Sequence, residues 1–229
     1  MYKIIFDSVN STFDQIINSE QYYNILNSKN LVVQSFAQKK GTGRGTKKWS
    51  SPKGNIYITI NQKCHSNEIL KNSFLLCHLI HKFFIIKYSL KLQYKWPNDL
   101  YFDNKKVIGV VSKSKIISDK AYIQVGMGIN VNNSPLKLSL SLSQILSKKF
   151  SIYNISNDLI DYLDYKLKLD YSNEDIVKYL NTYLMKKFKL KHPKIQNKEI
   201  QILKVENNLS LLFDMNNKRK NIFFGELIW

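Results

Sequence analysis

Apolar and polar positions alternate over several short runs of the chain: "YKIIF" at 2–6, "LVVQSF" at 31–36 and "NIYITINQ" at 55–62. Each predicts a strand. "STFD" at 11–14 has the form of a capping box, so a helix is expected to start there with Phe13, Ile16 and Ile17 on one face. A long apolar helix is predicted over 67–88, then a strand "KLQYKW" at 91–96 ended by Pro97. "DLYFDNKKVIGVVSKSKI" predicts a hairpin turning at Asp103-Asn104, and "KAYIQVGMGINV" a further strand with a Gly-x-Gly turn. Helical periods cover 156–168 and 173–188, the second opened by "SNED", and Pro193 marks a break. From 199 on, "EIQILKV", "LSLLFDM" and "NIFFGELIW" read as short strands between Asn-rich turns.

This order predicts an α+β fold with a mixed, largely antiparallel sheet, because the alternation is too irregular for a doubly wound parallel sheet. It divides the chain into a main domain over 1–190 and a small all-β domain over 191–229. The latter is too small to build a core alone and is expected to pack on the former. No internal repeat is evident.

With 229 residues, 44% hydrophobic and 13% aromatic, the chain can bury a core, which excludes a disordered polymer. A formal charge of +18 has two readings: a basic face for nucleic acid or a membrane surface, or a lean toward lysine along the whole chain. Of 35 basic residues only Arg44 and Arg219 are arginines, and the lysines are scattered. Cys64 and Cys77 form no Cys-x-x-Cys pair, so neither a disulfide framework nor a cysteine-rich zinc site is indicated, and a reducing cytoplasm fits. The N-terminus shows no signal peptide. The most apolar segment is interrupted by Lys71, His78, His81, Lys82 and Lys87, as suits a buried helix rather than a membrane span.

Three stretches carry candidate chemistry. "GTGRGTKKWSSPKGN" at 41–55 puts one of the two arginines in a glycine-rich loop. Glycine amides can approach an anion closely, and a guanidinium grips it with a fork. The spacing is not that of a P-loop, and a loose surface loop is the alternative. "KWPNDLYFDNKKVIG" at 95–109 presents Asn98 and Asp99 behind a rigid Trp-Pro turn, and the hairpin returns Lys106 beside Asp99. A carboxylate and an ammonium near an anion loop suit phosphate chemistry; a plain Asn-Asp turn is the alternative. "VGMGIN" at 125–130 permits close backbone approach at Gly126 and Gly128, with Asn130 able to read a ligand edge.

Jointly and in this order, these stretches resemble the catalytic domain of the biotin–protein ligases. The family's Gly loop is matched by Gln38, Gly41, Gly43, Arg44, Lys47 and Trp49, followed by its S-P-x-G-N as Ser51 to Asn55. K-W-P-N-D stands intact at 95–99, K-[ILV]-x-G as Lys106 to Gly109, G-x-G-I-N-V as Gly126 to Val131, and the early S-T pair as Ser11-Thr12. The chain departs at Phe13, where the family often has Asn or Gln, and at Thr42, often Arg or Lys. No helix-turn-helix precedes the catalytic region, so the DNA-binding arm of bifunctional members is not expected.

The resemblance implies a class II aminoacyl-tRNA synthetase-like catalytic domain with an SH3-like C-terminal segment. It implies two half-reactions: biotin and ATP give biotinyl-5′-AMP, and a lysine of a biotin carboxyl carrier domain takes the biotinyl group. Ser11, Thr12, Gln38, Gly41, Lys106 and Gly109 would hold biotin. Gly41, Gly43, Arg44, Trp49, Asn98 and Asn130 would hold the adenylate, with Trp49 on adenine. Lys106 would be the main electrostatic catalyst, Arg44 the clamp, and Asp99 the group that orients the acceptor lysine or takes its proton. Mg²⁺ would ride on the ATP phosphates, mostly through waters. The implied enzyme is cytoplasmic, with no membrane partner and, as family members often pair through an exposed sheet, a homodimer. Two rivals remain: a lipoate-type cofactor–protein ligase, whose R-R-x-S-G-G-G-type loop is not found, and a non-enzymatic basic nucleic-acid-binding protein.

Overall fold

The structure, a computed structural model, describes residues 1–14, 20–117, 120–191, 198–223 and 226–228. In chain order the elements are β1 (Tyr2–Phe6), α1 (Glu20–Ser28), β2 (Leu31–Ser35), β3 (Ile56–His65), α2 (Ile69–Tyr88), β4 (Gln93–Lys95), β5 (Asp99–Phe102), β6 (Lys105–Ile117), β7 (Lys120–Ile129), α3 (Leu142–Ile145), α4 (Ile152–Lys166), α5 (Asn173–Thr182), β8 (Lys187–Lys191), β9 (Lys198–Val205), β10 (Leu211–Met215), β11 (Lys218–Ile222) and β12 (Glu226–Ile228). A seven-stranded sheet runs β1-β2-β3-β7-β6-β5-β4. Only its β1–β2 pair is parallel; the other five are antiparallel. The α+β class with a largely antiparallel sheet is therefore the observed one.

Alternation gives the sheet two unlike faces. Ile123, Val125, Met127 and Ile129 of β7, with Ile56, Ile58 and Ile60 of β3, join Phe74, Leu76, Leu79 and Ile80 of α2 in one core that also takes in α4 and α5. The alternate positions Thr59, Asn61, Gln124, Gly126, Gly128 and Gly109 face the other way, and they pair across β3, β7 and β6 as Thr59–Gly126, Asn61–Gln124 and Gly109–Gly128. On that face α1 covers only a small apolar cluster, Leu26, Leu31, Val33 and Tyr122. Apart from Val111, the positions around Thr59 and the three glycines are polar, and the site is built there. By length and hydropathy the helical run through α2 could cross a membrane. Its central residues from Phe74 to Phe84 are instead buried against the sheet and neighbouring helices, Lys82 excepted.

β8 to β12 form a second sheet, ordered β11-β10-β9-β8-β12. Phe188, Ile200, Ile202, Leu211 and Phe213 of this sheet belong to the main core, so the small sheet packs on the large domain as its size requires.

Several element boundaries depart from the sequence reading. Residues 11–14 make a turn, with Asp14 N donating to Ser11 O (3.1 Å), and no helix starts at Ser11. The Ser11 hydroxyl caps that turn by accepting from Phe13 N (3.3 Å). Ile16 and Ile17 lie outside the described residues, as does Pro193. α4 begins earlier, where Ser151 accepts from Asn154 N. α5 stops at Thr182, although Leu184, Met185 and Phe188 continue an apolar period. Tertiary pairing overrides it: Tyr94 N donates to Tyr183 O (2.7 Å) and Met185 N to Tyr94 O (2.9 Å), which pulls the chain alongside β4 and into β8. "NIFFGELIW" is not one strand but the end of β11 and a separate β12.

Candidate active site

The glycine-rich loop lies between β2 and β3. Gly43 N donates to Lys47 O (2.8 Å), Lys47 N to Arg44 O (3.2 Å) and Trp49 N to Gly41 O (2.9 Å), closing a narrow flap whose tip, Gly45, takes a left-handed φ of 61°. Residues 44–48 are exposed. The base of the flap is buried and polar. Gln38 Oε1 accepts from Thr12 N (2.8 Å) and Thr12 Oγ1 (3.2 Å), while its Nε2 donates to Ser51 Oγ (2.9 Å). Thr59 Oγ1 donates to Thr12 Oγ1 (2.7 Å) from the sheet below, and Ser11 Oγ lies 3.4 Å from Thr42 Oγ1. A Cβ on Gly41 would sit 2.4 Å from both Ser51 Oγ and Trp49 O, so only glycine fits. The sequence thus brings Ser11, Thr12, Gln38 and Gly41 together as expected. It did not single out Thr59, whose signal was a polar side chain set between Ile58 and Ile60 of β3.

The glycines of β6 and β7 form a platform for two aromatic rings. A Cβ on Gly126 would meet Phe13 Cζ at 2.4 Å; one on Gly128 would meet Trp49 Cε2 at 2.3 Å; one on Gly109 would meet Trp49 Cζ3 at 2.6 Å and Lys106 Cε at 2.9 Å. The close approach expected at Gly126 and Gly128 is therefore made by the protein's own side chains. The Trp49 indole lies on this platform with Lys106 Nζ 4.9 Å from its ring centre.

The facing corner is rigid. Trp96-Pro97 is a cis peptide; Tyr94 OH donates to Pro97 O (2.6 Å), and Asn98 N to Lys95 O (3.2 Å). The Asn98 amide donates to Val110 O, and Val110 N returns a bond to Asn98 O (2.9 Å). Asp103 and Asn104 both take left-handed φ values, 47° and 56°, the two-residue hairpin turn their types suit. A register shift at Leu100/Tyr101 pairs Lys106 with Tyr101 and Asp99 with Gly109. Even so, Lys106 Nζ reaches Asp99 Oδ1 at 2.7 Å. The Lys106 backbone is fixed from three sides: its N–H donates to Leu138 O (3.1 Å), and its carbonyl accepts from Leu140 N (3.0 Å) and Asn130 Nδ2 (3.3 Å). Asn130 acts here as a buried brace. Asn55, also buried, ties flap exit to β7 exit by accepting from Val131 N (2.8 Å) and Asn133 N (3.1 Å).

Two cavities adjoin this arrangement. One, about 20 Å³, is bounded by Thr12, Phe13, Gln38, Trp49 and the platform glycines; it has room for about one water. The other, about 250 Å³, is lined by Arg44, Lys47, Lys48, Lys95, Lys106 and Asp99 among others. Trp49, Gly109 and Val111 line both, so the indole is the partition. Among the described residues that line it, five cations stand against one carboxylate, which suits an anion of several charges. Among the described residues no three His, Cys, Asp or Glu side chains gather to hold a metal ion.

Behind the corner, burial raises the Tyr94 phenol well above its ordinary value, so it stays the protonated donor to Pro97. Burial likewise raises the Tyr57 phenol, which donates to Pro52 O (2.7 Å). On α2, burial pushes His78 and His81 down to about 4, helped for His78 by Lys82 and for His81 by His78. His81 Nε2 accepts from Leu92 N (2.9 Å) just ahead of β4.

The model of the biotin/lipoate A/B protein ligase family matches residues 5–130. The human biotin–protein ligase is 29% identical over 113 residues, 45% of this chain and 16% of that protein. Biotin–protein ligase 2 of Arabidopsis thaliana is 30% identical over 112 residues, 44% of this chain and 33% of that protein. These alignments span a third or less of either relative. Among solved structures, biotin protein ligase from Aquifex aeolicus, in complex with biotin and ATP, superposes over 99% of this chain and 97% of its own, with a TM-score of 0.75 at 20% identity. That likeness establishes the fold.

Proposed function

The chain belongs to the biotin/lipoate A/B protein ligase family, and from that premise we propose that it is an ATP-dependent biotin–protein ligase acting in two steps. In the first, a biotin carboxylate oxygen attacks the α-phosphorus of ATP; the Pα–O bond to the β-phosphate breaks, and its electron pair leaves on pyrophosphate. In the second, the amine of a carrier-domain lysine attacks the acyl carbon, AMP departs, and the amine's proton is taken up. The observation that carries this reading is the Lys106–Asp99 pair, 2.7 Å apart, on the wall of a cation-lined cavity that the Arg44 flap also borders.

Lys106, between the two reacting anions, offsets their repulsion and the charge that builds on phosphorus. Arg44 closes over the acyl-phosphate and keeps the mixed anhydride from solvent. Asp99 orients the acceptor amine or takes its proton, and has Lys106 beside it as an electrostatic partner. Thr12 and Gln38 hold the ureido ring and tail of biotin, with Ser11 and Gly41 beside them. Gly43, Trp49, Asn98 and Asn130 serve the nucleotide, Asn98 and Asn130 by bracing β6. Magnesium would come with the ATP phosphates, since Asp99 is the one acidic side chain among the described residues lining this cavity. The 20 Å³ cavity cannot take a bicyclic ring, so biotin entry shifts Trp49 or Phe13 from the glycines.

The carrier domain has a sheet edge to approach: β5 pairs with β6 from Phe102 to Asp99, opposite Lys105 to Gly109, and among the described residues no strand pairs with that side of β6 beyond Val110. The same edge suits a second copy, as in the expected homodimer. We assign a main domain, a small C-terminal sheet that begins with β8 at Lys187 rather than at residue 191, and a cytoplasmic setting. The test is incubation with labelled biotin, Mg-ATP and a biotin carboxyl carrier domain, followed by mass spectrometry of the acceptor. Modification of one lysine, dependent on ATP, is expected. Labelling with lipoate in place of biotin would transfer the reading to the sister reaction, and no labelling with either would refute it.

A further inference from the structure

His81 is buried on α2 and does not line either cavity of the site. Its Nε2 accepts from Leu92 N (2.9 Å), so in the neutral ring the proton sits on Nδ1. Leu92 is also buried, and it closes the irregular link between α2 and β4. In that link Ser89 turns left-handed to end the helix, and Leu90 N bonds back to Phe84 O (3.2 Å). A buried N–H that loses its acceptor is costly, so the imidazole decides where the chain enters β4. The ring is held in turn by Tyr183, with centroids 4.4 Å apart and planes crossing at 86°. Tyr183 follows α5 and precedes β8 of the small sheet, and its carbonyl accepts from Tyr94 N (2.7 Å). A side chain and its ring partner thus fix two N–H groups, two residues apart, on the strand that leads into the corner.

From Tyr94 the constraint passes on. Its hydroxyl donates to Pro97 O (2.6 Å), and the next residue, Lys95, pairs with Asp99 and accepts from Asn98 N (3.2 Å). Asp99 in turn meets Lys106 at 2.7 Å. We infer that His81 is a positioning residue for the Asp99–Lys106 pair, acting through the backbone of Leu92 and Tyr94, and that its contact with Tyr183 makes the corner depend on the segment running from α5 into the small sheet. The kinetic consequence rests on the ligase reading above; the structural one does not. Placement is critical there, since a misplacement of about 1 Å at a reacting centre can cost about 100-fold in rate. His78, also buried on α2, stacks on Tyr179 at 4.1 Å instead and serves as the control for burial without the tether.

The variant His81→Leu removes the acceptor, and His81→Gln returns one. Amide hydrogen exchange reads the structural part without substrate. In His81→Leu the protection of the Leu92 amide should fall about 10-fold or more, and the loss should extend to Tyr94 and Asn98 while β3 and β7 keep theirs; His81→Gln should recover most of it. Tyr183→Leu keeps the acceptor and removes the ring that orients it, so the same amides should lose about threefold even if His81→Leu does not fold. In kinetics, kcat for biotinyl-5′-AMP formation and the rate of transfer to a carrier domain should both fall about 10-fold in His81→Leu, with KM for biotin and ATP kept within about twofold and His81→Gln within about threefold of wild type. In an Asp99→Asn background His81→Leu should add little to the loss of transfer, because it acts through that carboxylate. Exchange losses confined to Leu92 or spread evenly over both sheets, or equal kinetic losses in His81→Leu, His81→Gln and His78→Leu, would overturn the inference. The expected exchange pattern in a wild type that makes no biotinyl-5′-AMP would instead sink the ligase reading and leave the tether standing.

Discussion

The flap at 41–49 and the corner at 95–109 face one cavity and are built in opposite ways. The flap is exposed from Arg44 to Lys48 and is closed by a few backbone hydrogen bonds around glycine. The corner rests on Tyr94, Trp96 and Leu100, all 1% exposed or less, and its polar groups are bonded to backbone on several sides. Segments with few buried contacts open at little cost, whereas packed ones do not. In the function proposed above, which admits two substrates, holds a reactive anhydride and then meets a carrier, one wall has to yield and one to stay. On that proposal the flap would govern retention and the corner chemistry.

That division predicts how damage at each wall should read out. Lys106→Ala, in the corner, should lose ~2–4 kcal/mol of transition-state stabilisation, read as a fall in the single-turnover rate of biotinyl-5′-AMP formation; an unchanged rate would remove Lys106 from catalysis. Gly128→Ala should cost about 1–3 kcal/mol of stability, since the new methyl meets the Trp49 indole within 2.3 Å. Thermal unfolding with and without biotin checks it, and full stability with full biotin binding would show that the indole is not held there.

Acid should loosen the corner before the flap. His78 and His81 are held at about 4 when folded against an ordinary value near 6.5. Between those values the unfolded chain binds more protons, so stability is intact above pH ~6.5 and declines as pH falls toward ~4. The decline is at most about 1.4 kcal/mol per pH unit for each histidine. His81→Gln should flatten that slope in urea titrations between pH 4 and 7; a slope unchanged in the variant would assign the acid loss elsewhere. The smallest effect on stability belongs to the flap. Arg44→Gly should melt within ~2 °C of wild type, still make biotinyl-5′-AMP, and release it into solution, where filtration and chromatography would find it. Retention equal to wild type would contradict the clamp.

Much of this was legible in the sequence. The strands at 2–6, 31–36 and 55–62 announce themselves by alternation, and Asp103-Asn104 by turn chemistry, because those signals are local. The motif residues are legible as a set, and the structure gathers Thr12, Gln38, Lys106 and Asp99 around adjoining cavities. What escaped is tertiary. No local pattern says that Leu184 to Phe188 leave the helical period to follow Tyr94, or that Ser11 caps a turn so that Phe13 can lie on Gly126. Nor could spacing show that Trp49 fills the room left by Gly109 and Gly128, since what occupies the space above a glycine is decided by another part of the chain. The ring contact of His81 with Tyr183 joins distant parts of the chain for the same reason.

The most direct test is a crystal structure with biotinyl-5′-AMP bound. The account predicts the acyl-phosphate within ~3 Å of both Lys106 Nζ and the Arg44 guanidinium, the biotin rings against Thr12 and Gln38, and the Trp49 indole shifted off Gly128. An adenylate seated elsewhere, with Arg44 and Lys106 turned to unrelated surfaces, would contradict it.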